Sequence, residues 1–261
     1  LVDRSGIGAD VVRKLRDHKV NTDYIRVTDD GMGTWLAVFD NDGDVVAAIS
    51  KRPDLSPLVD ILEEHGDEII RDADSIALEI DMDKAVTKKV FALAEKYGKQ
   101  VYALVSNMSI AIKRRDLLRS VHCLVCNQQE AGILFSENYD HCSPEELRVI
   151  VADRIKAAQI GRMVVTMGGQ GAVWATLDGD CGLCPAKKVS VKDTTGAGDA
   201  FFSGIIMGLT YGKTMAEACE IGTRLAAAVI TTAENVCPRF LPSEFGLDGE
   251  APDPDQLAME L

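Results

Sequence analysis

The sequence predicts an α/β protein: a mostly parallel, doubly wound sheet flanked by helices, with a small β element apart from it. Three observations carry this. Short continuous apolar runs recur at 75–80 ("SIALEI"), 101–106 ("VYALVS"), 122–126 ("HCLVC") and 163–168 ("MVVTMG"). Segments of helical spacing separate them, near 83–97, 110–119, 128–135 and 144–158. A pair of strand-like runs lies upstream, outside that rhythm.

Taken in order, "IGADVVRKLRDHKV" (7–20) has the period of an amphipathic helix. "TWLAVFD" (34–40) and "VVAAIS" (45–50) flank Asn, Asp and Gly, the residues of a hairpin turn. This hairpin, 34–50, is expected to protrude as a lid from one α/β domain made of 1–33 and 51–261. After the alternating segment, "GAVWATL" (171–177) and "CPAKKVSV" (184–191) enclose "DGDCG" and read as an antiparallel hairpin at one sheet edge. Two long helices follow, near 196–211 and 214–233, and the Pro- and acid-rich tail from Pro238 reads as a surface segment.

A chain of 261 residues, 46% of them apolar, can bury one sizeable core. A net charge of -13 with no Lys/Arg stripe excludes nucleic acid as a partner class and suits no anionic membrane. No apolar run approaches the roughly 18 residues that span a bilayer. Seven cysteines, an odd number, make no disulfide framework and point to a reducing cytoplasm. Cys123/Cys126 and Cys181/Cys184 have zinc-like spacing. The first pair falls in a buried strand and the second in a Gly-rich turn, so no zinc is expected. "LVDRSGIG" has neither the charged nor the apolar region of a signal peptide, and residues upstream of Leu1 are expected to be missing from this sequence.

The chemistry gathers in "VKDTTGAGDAFFSGIIMGL" (191–209). "KKVSVKD" alternates like a strand and "AFFSGIIMGLTYG" has helical spacing, so Gly196 and Gly198 are placed at a strand-to-helix turn. Such a turn exposes backbone N–H groups at the positive end of a helix, which suits phosphate. A carboxylate there, Asp199, would repel the phosphate at rest. It makes sense as the group that takes the proton of a hydroxyl attacking that phosphate. Taken alone, Asp199 is equally a first-turn acid favoured by the helix dipole.

"DTTGAGDAF" resembles the signature of the ribokinase-like (PfkB) carbohydrate kinase family, and the resemblance extends over nearly the whole chain. It implies a ribokinase-like fold, with Asp199 as catalytic base and Thr195, Gly196, Ala197 and Gly198 as an anion hole. "CNQQE" matches the family's Asn-x-x-Glu motif at Asn127 and Glu130, implying Mg²⁺ and phosphate organisation, partly through water. "VTMGGQGAV" implies nucleotide contacts at Thr166, Gly168 and Gly171. "TTAENVCPRFLP" resembles the late loop beside the adenine, with Asn235, and beside a monovalent-cation site, assigned with K⁺ to Asp193 and Thr195. The cofactors implied are ATP and Mg²⁺. "GTWLAVFDNDGDVVAAIS" (33–50) resembles the lid of the pseudouridine kinase branch, and family lids pair across a homodimer. Pseudouridine is therefore the favoured acceptor; ribose, fructose, 2-keto-3-deoxygluconate, inosine or another nucleoside are the alternatives.

The chain departs from the family in three places. The expected first strand with its acidic sugar ligand, and the Gly-Gly…Asn segment after it, do not occur. Ser106-Asn107 stands where Asp-Pro is common, and Arg224 falls where an Asn often contacts adenine. Rival readings are weaker. "GLTYGKT" (208–214) has three residues between its glycines where a P-loop needs four, and Gly212 reads as a helix end. "SGIGAD" lacks the third glycine of a dinucleotide-binding dehydrogenase. A non-catalytic binding protein on the same fold would have no use for a base at Asp199.

Overall fold

The structure, a computed structural model, describes residues 1–39, 45–232, 236–237 and 240–247. The chain divides into two compact units, Leu1–Asp67 with Met82–Lys89, and Glu68–Asp81 with Val90–Leu261.

In the first unit, α1 (Gly6–Asp17) begins at Ser5, whose side chain accepts from the Gly8 N–H. β1 (Thr34–Phe39) and β2 (Val45–Lys51) form the expected antiparallel hairpin, with Thr34 opposite Lys51. Its "NDGD" turn lies outside the described residues. Trp35, Leu36, Val38, Val46 and Ile49 on the hairpin are all exposed. Then α2 (Ser56–Glu64) starts on a proline at N1/N2, where a missing N–H costs nothing.

The second unit opens with α3 (Gly66–Arg71), most of which it contains. Its sheet has the order β3 (Ser75–Glu79), β4 (Gln100–Leu104), β5 (Cys123–Asn127), β6 (Arg162–Thr166), β7 (Ala172–Thr176), β8 (Cys181–Cys184). β3 to β6 are parallel; β7 and β8 are antiparallel additions at one edge. The connections are helical: α4 (Lys84–Lys96), α5 (Met108–Ala111), α6 (Arg115–Leu118), α7 (Gln128–Phe135) and α8 (Pro144–Ala158). The single helix expected over 110–119 is instead α5, a 3₁₀ turn and α6. The charged run Lys113–Asp116 separates Met108 and Ala111 from Leu118, so each end buries its own apolar residues.

α9 (Ala197–Thr210) and α10 (Met215–Ile230) cover one sheet face. Tyr102, Cys123, Val125, Val164 and Trp174 pack there against Phe201, Phe202, Ile205 and Cys219. The two helices touch backbone to backbone. A Cβ on Gly204 would sit 2.5 Å from the Gly222 Cα. Gly212, at φ 70°, turns the chain between them, as a helix end requires.

The edge hairpin differs from expectation. Its second strand is Cys181–Cys184, and 185–192 forms no strand. The ladder ends where Cys184 pairs with Ala172, the first residue of β7. Pro185 follows and has no N–H to extend it. The glycine turn is therefore entered from a loop, not from a strand.

Candidate functional site

Asn127 is the last residue of β5, and in the parallel register it pairs with Thr166, the last residue of β6. Both stand at the carboxyl ends of the parallel strands, where doubly wound sheets bind ligands. Asn127 also caps α7. Its side chain accepts from the Glu130 N–H at 2.9 Å, and the Glu130 carboxylate accepts from the Asn127 N–H at 2.7 Å. This capping box fixes both side chains at the rim. Beyond Thr166, Gly168 has φ 54° and Gly171 φ 98°. A Cβ on Gly168 would meet open space, whereas one on Gly171 would lie 2.1 Å from the Cys184 carbonyl oxygen. Gly171 is thus required by β8, while Gly168 leaves its surroundings clear.

α9 reaches the same rim from its own side. Its last residue, Thr210, donates to the Ser75 hydroxyl at 3.0 Å, at the amino end of β3. The helix packs along β3 and β4. From Thr210 back to Asp199 it rises about 16 Å, and β3 spans about 13 Å. The start of α9 is so carried to the carboxyl side of the sheet. Before it, the Thr195 N–H donates to Asp193 Oδ1 at 2.8 Å and the Ala197 N–H to the Thr194 carbonyl at 3.2 Å, which tightens the loop. Hydrogen bonds from Thr195 hold the Asp193 pKa below the usual carboxylate range. Gly196, the N-cap, has φ 81°, a conformation that costs other residues about 1–2 kcal/mol. No side chain caps α9, and apart from the Ala197 N–H the first N–H groups of the helix are left open. A Cβ on Gly198 would meet nothing within 4 Å.

Asp199 lies in the first turn of α9. Among the described residues its carboxylate has no hydrogen-bond partner, and neighbouring protein desolvates it enough to raise its pKa. A carboxylate more basic than usual, unpartnered beside open N–H groups, can take a proton from a group placed there.

Two rim carboxylates escaped the sequence reading. Asp81 is buried, and the Ser106 N–H donates to Glu79 Oε1 at 2.8 Å. Burial, with the hydrogen bond and charge of Asp81, pushes Glu79 up to about 8. Burial also raises Glu130, and the Asp81 charge adds to it against the stabilising Asn127 N–H. The signal was visible as "EID" at the end of an apolar run, but only the sheet register brings it beside Ser106 and toward Glu130. The rim thus joins Asn127, Glu130, Thr166 and Gly168 at the carboxyl ends of β5 and β6, the side of the sheet on which α9 starts. Asn235 lies outside the described residues. Arg224 is committed elsewhere: its guanidinium lies 4.2 Å over the Phe245 ring and donates to the Glu244 carbonyl at 2.8 Å. Cys123 and Cys126 are buried thiols in β5, and Cys181 and Cys184 close the two ends of β8.

The protein-family model for pfkB family carbohydrate kinases matches residues 4–236. The chain is 32% identical to the guanosine-inosine kinase of Exiguobacterium acetylicum over 90% of its own length and 77% of that enzyme's. It is 27% identical to the pseudouridine kinase of Escherichia coli, over 73% of this chain and 59% of that one. Among solved structures, ribokinase of Arabidopsis thaliana complexed with ribose and ATP superposes with a TM-score of 0.73, covering 99% of this chain and 79% of that one at 19% identity, and so shares its fold. The signature that opens α9, the Asn-x-x-Glu box that opens α7, the sheet and the family match all agree: this chain is a member of the PfkB family of carbohydrate kinases, a sugar or nucleoside kinase.

Proposed function

We propose that the protein transfers the γ-phosphoryl group of ATP to a hydroxyl of a nucleoside, with Asp199 as the base. The observation that carries this is the unpartnered Asp199 carboxylate in the first turn of an uncapped helix that opens on Gly196 and Gly198. In this reading the turn 195–198 holds the transferring phosphoryl group, chiefly through the Gly196 and Gly198 N–H groups, since those of Thr195 and Ala197 already donate to Asp193 and Thr194, and offsets charge as it develops on the oxygens. Asp199 orients the acceptor hydroxyl and receives its proton as the oxygen–phosphorus bond forms and the bond to ADP breaks. Thr166, Gly168 and Gly171 line the nucleotide, with Asn235 near its base.

Asn127 and Glu130 would hold Mg²⁺ through its water, with Asp81 adding charge and Glu79 able to do so once it gives up its proton. The donor set fits: Asn127, Glu130, Glu79 and Asp81 offer hard oxygens only. Bound there, Mg²⁺ would neutralise the phosphate oxygens. K⁺ is assigned to the tightened loop at Asp193 and Thr195.

The relationship to guanosine-inosine kinase over most of the chain favours a purine nucleoside as acceptor. Pseudouridine is the second reading, supported by the more distant pseudouridine kinase relative. The exposed apolar residues of the β1–β2 hairpin support its assignment as a lid that pairs two copies. Measuring ADP release with guanosine, inosine, pseudouridine, ribose, fructose and 2-keto-3-deoxygluconate tests the reading. The highest kcat/KM is expected with a purine nucleoside. A free sugar giving the highest value would replace the nucleoside assignment, and no turnover with any acceptor would remove the kinase mechanism from this chain.

A further inference from the structure

We propose that Lys187, Lys188 and Lys192 form a cationic approach to the open start of α9 that speeds capture of a nucleoside triphosphate. The inference rests on the reading that phosphate is held at 195–198. A chain of net charge -13 repels a polyanion, so the approach to an anion site matters. The segment from Lys187 to Lys192 carries three lysines and no acid.

Its placement suits the task. Every residue from Lys187 to Thr194 is exposed, and the segment belongs to no helix or strand. Among the described residues, none of the backbone N–H groups from Lys187 to Val191 has a backbone partner; the first anchor is the Lys192 N–H, which donates to the Ile230 carbonyl at 2.8 Å. None of the three ammonium groups forms an ion pair among the described residues. Their charge is therefore not consumed by the fold. Lys192 precedes Thr195 by three residues, so the two Cα atoms are at most about 11 Å apart. That is close to the Debye length of about 8–10 Å at ordinary ionic strength. Lys187 and Lys188 are farther along the chain and act chiefly at low salt. Asp193 opposes them, but its carboxylate faces the Thr195 N–H and leaves the segment net positive. A neutral acceptor would feel none of this, so the device would act on the nucleotide alone.

The test is stopped-flow association of a fluorescent ATP analogue with Mg²⁺, using the full chain at about 20 and about 300 mM salt, where screening lengths differ several-fold. Replacing all three lysines by Gln is expected to slow association about tenfold at low salt. Dissociation should not change, and the gap should close at high salt. The triple Lys→Arg variant should associate like the wild type. An unchanged association rate at low salt overturns the proposal. So does a loss that persists at high salt with faster dissociation, which would mean direct contacts. The site reading is judged separately by Gly198→Val: if wild type binds the analogue and this variant does not, the phosphate turn stands whatever the lysines do. If wild type fails to bind the analogue, both readings fall.

Discussion

The helices α7 and α9 begin on the same rim of the sheet but are closed in different ways. α7 is sealed by a reciprocal box in which Asn127 and Glu130 satisfy each other's backbone N–H groups. α8 and α10 are sealed alike, by Ser143 with Glu146 and by Thr214 with Glu217. α9 instead starts on a glycine in the left-handed region, with no side-chain cap and an unpartnered acid in its first turn. With glycine at the N-cap, leaving out a side-chain cap forgoes only about 0.3 kcal/mol of stability. The contrast separates a helix start closed by side chains from one left open, which the proposed function assigns to an anion.

The most severe way to break the contrast is to remove the proton acceptor alone. Asp199→Asn keeps the size and the helix, and is expected to lower kcat by about 10²–10⁴-fold. ATP affinity should be unchanged or slightly higher, since a charge beside the phosphate is gone. Steady-state kinetics with the best acceptor, together with nucleotide titration, decide it. Near-normal turnover would make Asp199 a helix-start acid and nothing more.

Filling the open start comes next. The space around the Gly198 Cβ position is free, so Gly198→Val should fold with a melting temperature close to wild type. ATP binding should weaken by at least about tenfold, as each 1.4 kcal/mol of lost contact costs that factor. Calorimetry and thermal melting read the two effects separately. A large fall in melting temperature with unchanged affinity would assign Gly198 to packing.

The closed helix can be probed without opening it. Gln is as acceptable as Glu at the third position of a capping box, so Glu130→Gln should preserve α7. It should raise the Mg²⁺ concentration needed for half-maximal activity, by about tenfold for loss of one carboxylate. Asn127→Ala should instead cost about 1 kcal/mol of stability in urea unfolding. If Glu130→Gln left the Mg²⁺ dependence unaltered, the box would be a cap only.

The smallest expected effect is on pH dependence. Glu79 is raised from 4.5 to about 8 in the folded protein. The folded state therefore holds a proton that the unfolded chain releases near pH 4.5. The stability this contributes is fully present below about 4.5 and is lost as pH rises through about 8. Urea unfolding at pH 5, 7 and 9 should show stability declining over that interval, with a flatter course in Glu79→Gln. Parallel pH courses in the two proteins would show that Glu79 does not hold the proton.

Much of this was legible in the sequence. Continuous apolar runs marked the four parallel strands; β4, β5 and β6 are buried on both faces, so no polar alternation interrupts them. The signature placed Asp199 and the glycine turn because their spacing is local. What depended on pairing was not legible. "KKVSVKD" alternates as well as any strand, but β7 had no residue left to receive it past Ala172, and Pro185 interrupts it. The Glu79–Asp81 pair becomes a feature only when β4 aligns beside β3 and brings Ser106 to it. The helices α2 and α3 are short and escaped the sequence reading, although Leu58, Ile61 and Leu62 recur at helical spacing behind Pro57.

The backbone contact between Gly204 and Gly222 has a consequence for which substitutions this chain can accept. These two positions lie in mid-helix, away from any proposed ligand, yet neither can gain a methyl group while α9 and α10 keep their spacing. An alanine at either one would force apart two helices in backbone contact, and α9 is the helix that carries Gly196 and Asp199 at one end and the Thr210 hydrogen bond at the other. The interior faces of α9 and α10 are thus held to glycine at these two positions by helix packing and not by any ligand.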